Sequence, residues 1–248
     1  MRSIKFKARV NNWAKFVQKL RRPYQNYFQS SCYFCYQTDY CRAGVCTTCF
    51  NWLPWMSGAC RYCGLPMAAE SESVCGRCLQ IEKHPLDTVK ILFRYEEPIR
   101  SLVLALKYQQ KLYLGKMLGR LMIERLKPDR VVAGIMPVPL ATGRLQQRGF
   151  NQSLEIARVV AKFQGTPLIR NGLLKTRETR NQSELSGAAR KKNLKLHNFS
   201  YNLKYVPESI ILVDDVMTTG TTIRLVAQKL RQAGVQHIEG WLVCRAVL

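Results

Sequence analysis

Two adjacent carboxylates followed by a threonine-rich loop are the residues best suited to do chemistry in this sequence. Asp214 and Asp215 follow the apolar run 210–213. The loop after them contains, in order, Val216, Met217, Thr218, Thr219, Gly220, Thr221 and Thr222. Carboxylates accept hydrogen bonds from sugar hydroxyls, and threonine hydroxyls together with the backbone N–H groups at a helix start bind phosphate. The segment therefore predicts a site for a phosphorylated sugar, although carboxylates in this position also commonly cap the next helix.

Eight of the ten cysteines form four CxxC pairs, which are Cys32–Cys35, Cys46–Cys49, Cys60–Cys63 and Cys75–Cys78. A CxxC pair places two thiolates on one tight turn, where both sulfur atoms reach one ion about 2.3 Å away. The pairs predict two structural zinc sites of four thiolates each, arranged as a double zinc ribbon. The spacing leaves open which pairs share an ion. Cys41 and Cys244 fall outside the pattern.

A disulfide cluster or a redox motif is the alternative interpretation of the CxxC pairs. The first 22 residues contain neither the apolar segment nor the cleavage site of a signal peptide. We therefore expect a cytoplasmic protein, because cysteines in a reducing compartment bind metal more often than they pair. The longest uncharged run, residues 43–60, contains three cysteines and several polar residues, so no transmembrane segment is predicted.

The sequence is strongly basic, with 39 Lys and Arg against 16 Asp and Glu and a formal net charge of +23. Such a charge is typical of proteins that bind nucleic acid, phosphorylated ligands or an anionic membrane surface. Residues 1–29 contain eight basic and no acidic residues, with apolar residues at helical spacing. This segment indicates either an amphipathic helix on anionic lipid or nucleic acid, or a solvated basic tail.

Strand-like and helix-like patterns alternate from residue 86 onward. The predicted strands cover residues 89–95, 131–138, 210–213 and 237–245. Four helices are predicted. The first two begin after Pro98 and after Tyr113, and the other two cover residues 152–163 and 221–233. This alternation predicts an α/β fold with a doubly wound, mainly parallel sheet. The expected organisation is a basic segment over 1–29, a double zinc ribbon over 30–80 and an α/β domain over 81–248.

Three stretches of the sequence carry a resemblance to known families. The run from Ile210 to Thr222 resembles the signature of type I phosphoribosyltransferases for 5-phosphoribosyl-1-pyrophosphate (PRPP). Residues 137–153 resemble an element of the ComF/GntX family, in which PVPL is followed by an arginine and then by RGFNQS. Residues 179–193 resemble a second element of the same family. Together with the cysteine-rich module, the resemblance covers about residues 30–248 and leaves residues 1–29 outside.

The resemblance implies a type I phosphoribosyltransferase-like fold and a role for each matching residue. Asp214 and Asp215 would hold the ribose hydroxyls of PRPP, directly or through Mg²⁺, and the loop from Val216 to Thr222 would bind its 5′-phosphate. Pyrophosphate would lie against the backbone of Pro137, Val138 and Pro139, with Arg144 or Arg148 as its charge partner. A flexible loop over the site would contain Lys175, Arg177, Thr179, Arg180, Gln182, Arg190 and Asn193.

The resemblance also implies an association with natural competence, the uptake of single-stranded DNA through the inner membrane. One hypothesis is an enzyme, a phosphoribosyltransferase with an unknown acceptor. The alternative is a catalytically inactive PRPP sensor or a nucleic-acid-binding protein of the competence machinery. The expected partners are PRPP, single-stranded DNA and competence proteins, with peripheral attachment of this cytoplasmic chain at the inner membrane.

Overall fold

The structure is a computed structural model, and it describes residues 31–38, 41–68, 73–175, 199–201 and 206–247. The chain forms two compact units, residues 1–51 and residues 52–248. Among the described residues, the strands are β1 (Cys41–Arg42), β2 (Val45–Cys46), β3 (Thr88–Arg94), β4 (Gly134–Pro137), β5 (Leu173–Lys175), β6 (Phe199–Tyr201), β7 (Ser209–Met217) and β8 (His237–Arg245). The helices of the same residues are α1 (Thr47–Trp52), α2 (Gly76–Leu79), α3 (Ile99–Tyr108), α4 (Leu112–Arg125), α5 (Thr142–Arg148), α6 (Gln152–Gln164) and α7 (Thr221–Gln232).

The first unit contains a short antiparallel hairpin of β1 and β2. Ala43 and Gly44 form its turn with positive φ angles of 55° and 84°. The backbone N–H of Tyr33 donates a hydrogen bond of 3.0 Å to the carbonyl oxygen of Gly44. The hairpin thereby brings the first CxxC pair, which flanks Tyr33, close to the second pair, which begins at the end of β2.

The second unit is built on a four-stranded sheet with the order β3-β8-β7-β4, in which every neighbouring pair is parallel. A separate antiparallel hairpin is formed by β5 and β6. The two central strands, β7 and β8, consist mainly of buried residues, as expected of a parallel sheet with both faces covered. The prediction of a mainly parallel α/β fold is confirmed.

Alternate residues of β7 pack on opposite faces of this sheet. Ile210 and Leu212 lie in one apolar cluster with Val226 and Leu230 of α7. Helix α6 packs against β4 and β7 and also against α4. Both faces of the sheet are therefore covered, and the chain bends from strand to helix at the carboxyl ends of β4 and β7.

Strand β7 is longer than the sequence predicted. The apolar run ends at Val213, but β8 continues to pair with β7 as far as Arg245, opposite Met217. This pairing keeps the backbone extended, so Asp214 and Asp215 belong to the strand and do not follow it. Strand β4, in contrast, is shorter than the predicted strand over 131–138. It begins only at Gly134, and Val131 is 94% exposed.

The region around the third and fourth CxxC pairs packs on β3. The backbone N–H of Val89 donates to the carbonyl oxygen of Arg61 at 2.6 Å, and the rings of Trp55 and Phe93 lie 4.5 Å apart. This region belongs to the second compact unit, and the predicted domain boundary between residues 80 and 81 stays a prediction. No helix in the described part of the chain combines the length and apolar character needed to cross a bilayer.

Candidate functional site

A recess lies at the carboxyl end of β7, where the chain turns into α7. It contains about 360 Å³ of space that is open to solvent. Its lining is Asp214, Val216, Met217, Thr218, Thr219, Gly220, Thr221, Thr222, Ile223 and Leu242. The structure therefore brings Asp214 and the whole predicted phosphate loop to one surface. A recess at the end of a parallel strand is the usual ligand position in open α/β sheets.

The loop between β7 and α7 has the geometry of an anion-binding turn. Gly220 has a φ of +73°, a conformation that favours glycine. A Cβ atom at Gly220 would lie 2.3 Å from Met217 Cε. The hydroxyls of Thr219 and Thr221 are 2.8 Å apart at the start of α7. Because the first N–H groups of a helix carry partial positive charge, this end of α7 can accept a phosphate group.

Asp214 is the acidic residue that lines the recess. Its Oδ1 accepts hydrogen bonds from the hydroxyl of Ser153 at 2.7 Å and from the backbone N–H of Asp215 at 2.9 Å. Burial and the neighbouring Asp215 carboxylate raise the pKa of Asp214 to about 7, although the Ser153 hydrogen bond acts in the opposite direction. Asp214 can therefore hold or release a proton near neutral pH.

Asp215 is buried and paired with a lysine from α3. The Lys107 Nζ lies 2.8 Å from Asp215 Oδ2, and the two groups form an ion pair. Burial acts to lower the pKa of Lys107, but the Asp215 carboxylate outweighs it and the pKa is raised. Asp215 is not among the residues that line the recess. Its predicted contact with a ribose hydroxyl stays a prediction.

The segment from Pro137 to Pro139 continues from β4 beside the end of β7. The backbone N–H of Val138 donates to the carbonyl oxygen of Val213 at 2.9 Å, and the Asn151 side chain donates to the carbonyl oxygen of Val138 at 3.1 Å. Asn151 also caps α6 by accepting from the N–H of Ser153. The RGFNQS motif thus supports both the β4 end and Asp214.

The two arginines of α5 that were predicted to pair with pyrophosphate differ in their contacts. Arg148 donates to the Tyr108 hydroxyl at 3.4 Å and to Gln152 Oε1 at 3.2 Å, and its guanidinium lies 5.1 Å from the Tyr108 ring centroid. Its positive charge also acts to lower the pKa of Lys107. Arg148 is therefore close to Lys107, the partner of Asp215, while Arg144 is half-buried earlier on the same helix.

The eight CxxC cysteines form two clusters of four, which we call the first tetrad (Cys32, Cys35, Cys46 and Cys49) and the second tetrad (Cys60, Cys63, Cys75 and Cys78). Within each tetrad all sulfur atoms lie within 4.8 Å of one another. The Sγ distances are 3.7 Å for Cys35 and Cys46 and 3.6 Å for Cys63 and Cys75. Sulfur atoms around a tetrahedral zinc ion are about 3.8 Å apart, so both tetrads fit this ion.

Backbone hydrogen bonds favour the thiolate form of one cysteine in each tetrad. Burial acts to raise the pKa of Cys32, but the backbone N–H groups around it outweigh this effect and lower the pKa to about 6. The same balance lowers the pKa of Cys60 to about 6. Deprotonated thiols are the form that binds metal.

No protein-family model matches the chain. The chain is 32% identical to the DNA utilization protein YhgH of Salmonella typhimurium, over 82% of its own length and 91% of that protein. It is 29% identical to competence protein F of Haemophilus influenzae, over 89% of its length and 99% of that protein. The competence protein ComFC of Streptococcus pneumoniae is 26% identical over 63% of the chain and 67% of that protein.

The chain belongs to the ComF family. Its predicted membership is confirmed by relatives that are similar along most of both chains. Several predicted residues of this ComF chain lie outside the described residues, namely the whole of 1–29 and, in the predicted flexible loop, Arg177, Thr179, Arg180, Gln182, Arg190 and Asn193. The backbone of Lys175 ends β5.

Sequence reasoning missed four side chains of this ComF site. Lys107 and Ser153 contact the carboxylates, while Arg224 and Arg245 lie beside the phosphate loop. Only Ser153 had a local signal, because it ends the RGFNQS motif. The other three stand in ordinary helical or strand patterns, and only the folded chain brings them beside the carboxylates and the phosphate loop.

Proposed function

We propose that this ComF chain binds PRPP in the recess at the end of β7 and transfers its phosphoribosyl group to an acceptor. The observation that carries the proposal is the recess itself, in which one carboxylate and a continuous threonine-rich turn at a helix start share one surface. A phosphate group suits the turn, and a sugar suits the carboxylate beside it.

Each part of PRPP has a matching group in this arrangement. The 5′-phosphate is placed in the turn around Gly220, with the guanidinium of Arg224 nearby. The ribose hydroxyls are placed against Asp214, which Ser153 orients through its 2.7 Å hydrogen bond. The pyrophosphate is placed beside Pro137–Pro139, at the adjacent strand end, where Arg148 supplies positive charge.

The reaction class is displacement at C1 of the sugar. A nitrogen of the acceptor forms a bond to C1 as the bond from C1 to the pyrophosphate oxygen breaks, and the pyrophosphate leaves with that electron pair. No side chain need act as nucleophile. Oxygen donors such as the Asp214 carboxylate suit Mg²⁺, which neutralises charge on the departing pyrophosphate when it is bound with the substrate.

The two tetrads are proposed to hold one structural zinc ion each. Four thiolates complete a tetrahedral shell, so neither ion retains a position for substrate. Their contribution is to the folding of the short segments around them, which contain little secondary structure of their own.

Titration calorimetry with Mg–PRPP tests the binding, and pyrophosphate release with a panel of nucleobases tests the transfer. Micromolar affinity with turnover of one base supports the enzyme. Tight binding without turnover of any base supports the sensor instead. No heat at millimolar Mg–PRPP overturns the PRPP site and the transferase proposal together.

A role in natural competence, with direct handling of single-stranded DNA, is the second proposed function. Two of the relatives are named competence proteins, and others are named DNA utilization proteins. The sequence has a net charge of +23 and eight basic residues in 1–29, which is the positive charge that such binding needs.

Salt dependence tests this second function. Affinity for an unstructured oligonucleotide is measured from low to physiological salt, for the full chain and for a chain that begins at Ser30. Binding through phosphate contacts weakens with a slope of about −0.7 per contact in log–log form. If the chain that begins at Ser30 loses affinity for the oligonucleotide, the contacts lie in residues 1–29. If the full chain does not bind even at low salt, direct DNA handling is excluded.

A further inference from the structure

Arg245, the last residue of β8, connects the phosphate loop to the second tetrad. Its side chain is buried, and its Nε donates to the carbonyl oxygen of Cys63 at 3.2 Å. Its Nη1 donates to the carbonyl oxygen of Met217 at 3.1 Å and also to those of Thr218 and Ala246. One guanidinium therefore holds a metal-ligand residue and the first residues of the loop at the same time.

The charge environment of Arg245 suits a role toward anions. Among the described residues, no carboxylate forms an ion pair with Arg245. Carbonyl oxygens accept the hydrogen bonds of its guanidinium group. Arg224 also lies beside the loop, because one of its terminal nitrogens is 3.5 Å from the position that a Cβ atom at Gly220 would take. Two guanidinium groups thus lie beside a loop that carries no acidic side chain between Val216 and Thr222.

The carbonyl that Arg245 contacts belongs to the turn of a CxxC pair. In this turn the backbone N–H of Gly64 donates to the carbonyl oxygen of Cys60 at 2.8 Å, and that of Cys60 donates to Leu65 at 2.8 Å. Gly64 has a φ of +62°, and a Cβ atom there would lie 2.6 Å from Ile91. The turn is therefore packed tightly on β3, and it carries the Cys63 carbonyl together with two sulfur atoms of the second tetrad.

We propose that Arg245 is a positioning residue that couples metal binding at the second tetrad to anion binding in the phosphate loop. The inference rests on the proposed PRPP site and adds a second, linked site to it. The turn that carries the Cys63 sulfur also carries the Cys63 carbonyl, which accepts a hydrogen bond from Arg245, and Arg245 in turn donates to the loop carbonyls of Met217 and Thr218. A metal ion bound by the Cys63 sulfur would fix this series of contacts at one end. Linkage makes the coupling reciprocal, so a ligand in the loop also stabilises the metal in the second tetrad.

Cysteine alkylation of the zinc-loaded full chain tests this coupling, with the first tetrad as internal control. A zinc-selective chelator and an alkylating reagent are added with excess Mg²⁺, and the modification of each cysteine is followed by mass spectrometry. We expect Mg–PRPP to slow alkylation of the second tetrad about fivefold or more relative to the first, the lower end of typical coupling. If bound Mg–PRPP slows alkylation of both tetrads by the same factor, the coupling is overturned and the PRPP site is not. Absence of PRPP binding by calorimetry overturns the proposed function as well.

Two substitutions identify Arg245 as the link. Arg245→Met removes the bridge, and Arg245→Lys keeps the charge but replaces the two nitrogens that contact Cys63 and Met217 with a single one. In both variants the selective protection by Mg–PRPP is expected to fall below about twofold, against fivefold in the wild type. Arg231→Met is the control, since Arg231 also donates to three carbonyl oxygens, but near the start of β8 and with an ion pair to Asp87 in addition. Unchanged protection in Arg245→Lys, or its loss in Arg231→Met, overturns the assignment to Arg245.

Discussion

The ammonium group of Lys107 lies 2.8 Å from Asp215 Oδ2, where α3 meets the end of β7. The side chains are 17% and 6% exposed, so the pair is largely withdrawn from water. The negative charge of Asp215 is thereby balanced by Lys107, and Asp214 is the carboxylate that lines the recess. The two adjacent aspartates consequently have different environments, which give rise to different predictions.

Removal of one partner of this pair is expected to destabilise the protein. Lys107→Met leaves the Asp215 carboxylate buried without a counter-charge, and such losses cost about 3–5 kcal/mol. Urea denaturation measures the free energy of unfolding. Asp215→Asn is expected to act in the same direction, and the double variant to recover part of the loss. Lys116→Met, at an exposed position on α4, is the control and is expected to change stability by less than about 0.5 kcal/mol.

The pKa of Asp214 predicts a pH dependence of stability. Its folded pKa is about 7, above the ordinary value of about 3.9 for an aspartate. Between these values the folded state keeps a proton that the unfolded state has lost, so the free energy of unfolding falls as pH rises from 4 to 7. Asp214→Asn is therefore expected to gain stability relative to the wild type as pH rises through this window. If the difference in free energy of unfolding between Asp214→Asn and the wild type does not change with pH, the prediction is wrong.

Ser153→Ala supplies a second test of the same carboxylate. The Ser153 hydroxyl stabilises the ionised form of Asp214 and lowers its pKa. Its removal is expected to raise the pKa further. The titration of Asp214, followed by carbon-13 NMR of its carboxyl group, is expected to move to higher pH in this variant. A shift to lower pH would show that the hydroxyl does not donate to Asp214.

Gly220→Ala is expected to weaken binding of Mg–PRPP about tenfold, which corresponds to about 1.4 kcal/mol. The added methyl group forces Met217, which lines the recess, to move, and alanine is strained at a φ of +73°. Gly234→Ala is the matched control, because Gly234 has a φ of +103° and the nearest atom to an added Cβ is 3.9 Å away. Calorimetry compares the variants. Equal effects of both would assign the loss to backbone strain in general.

Two zinc ions per chain are expected in protein purified without chelator. Cys46→Ser removes a ligand of the first tetrad and is expected to reduce the content to one ion, because the loss of a thiolate opens that site. Cys75→Ser is expected to remove the other ion. Elemental analysis measures the content, and Cys41→Ser, which lies outside both tetrads, is expected to keep two ions. One ion in the wild type contradicts the assignment of both tetrads.

Features that depend on neighbours along the chain could be predicted from the sequence. A CxxC pair requires only one turn, and the strand, loop and helix around Gly220 are consecutive, so spacing and side-chain type predicted both. The alternation of apolar strands and helices predicted the parallel sheet for the same reason, since each pattern reports which face of an element is buried.

Which distant residues meet depends on the fold of the whole chain, and here the fold made several choices. It paired Cys32 and Cys35 with Cys46 and Cys49 to form the first tetrad, a choice that the spacing had left open. It extended β7 past Val213, because pairing with β8 stabilises an extended backbone that Asp214 and Asp215 do not favour on their own. It also brought Lys107 to Asp215 and Arg245 to Cys63. A charged side chain reaches such a partner through chain topology, and one-dimensional patterns do not record the distance between elements.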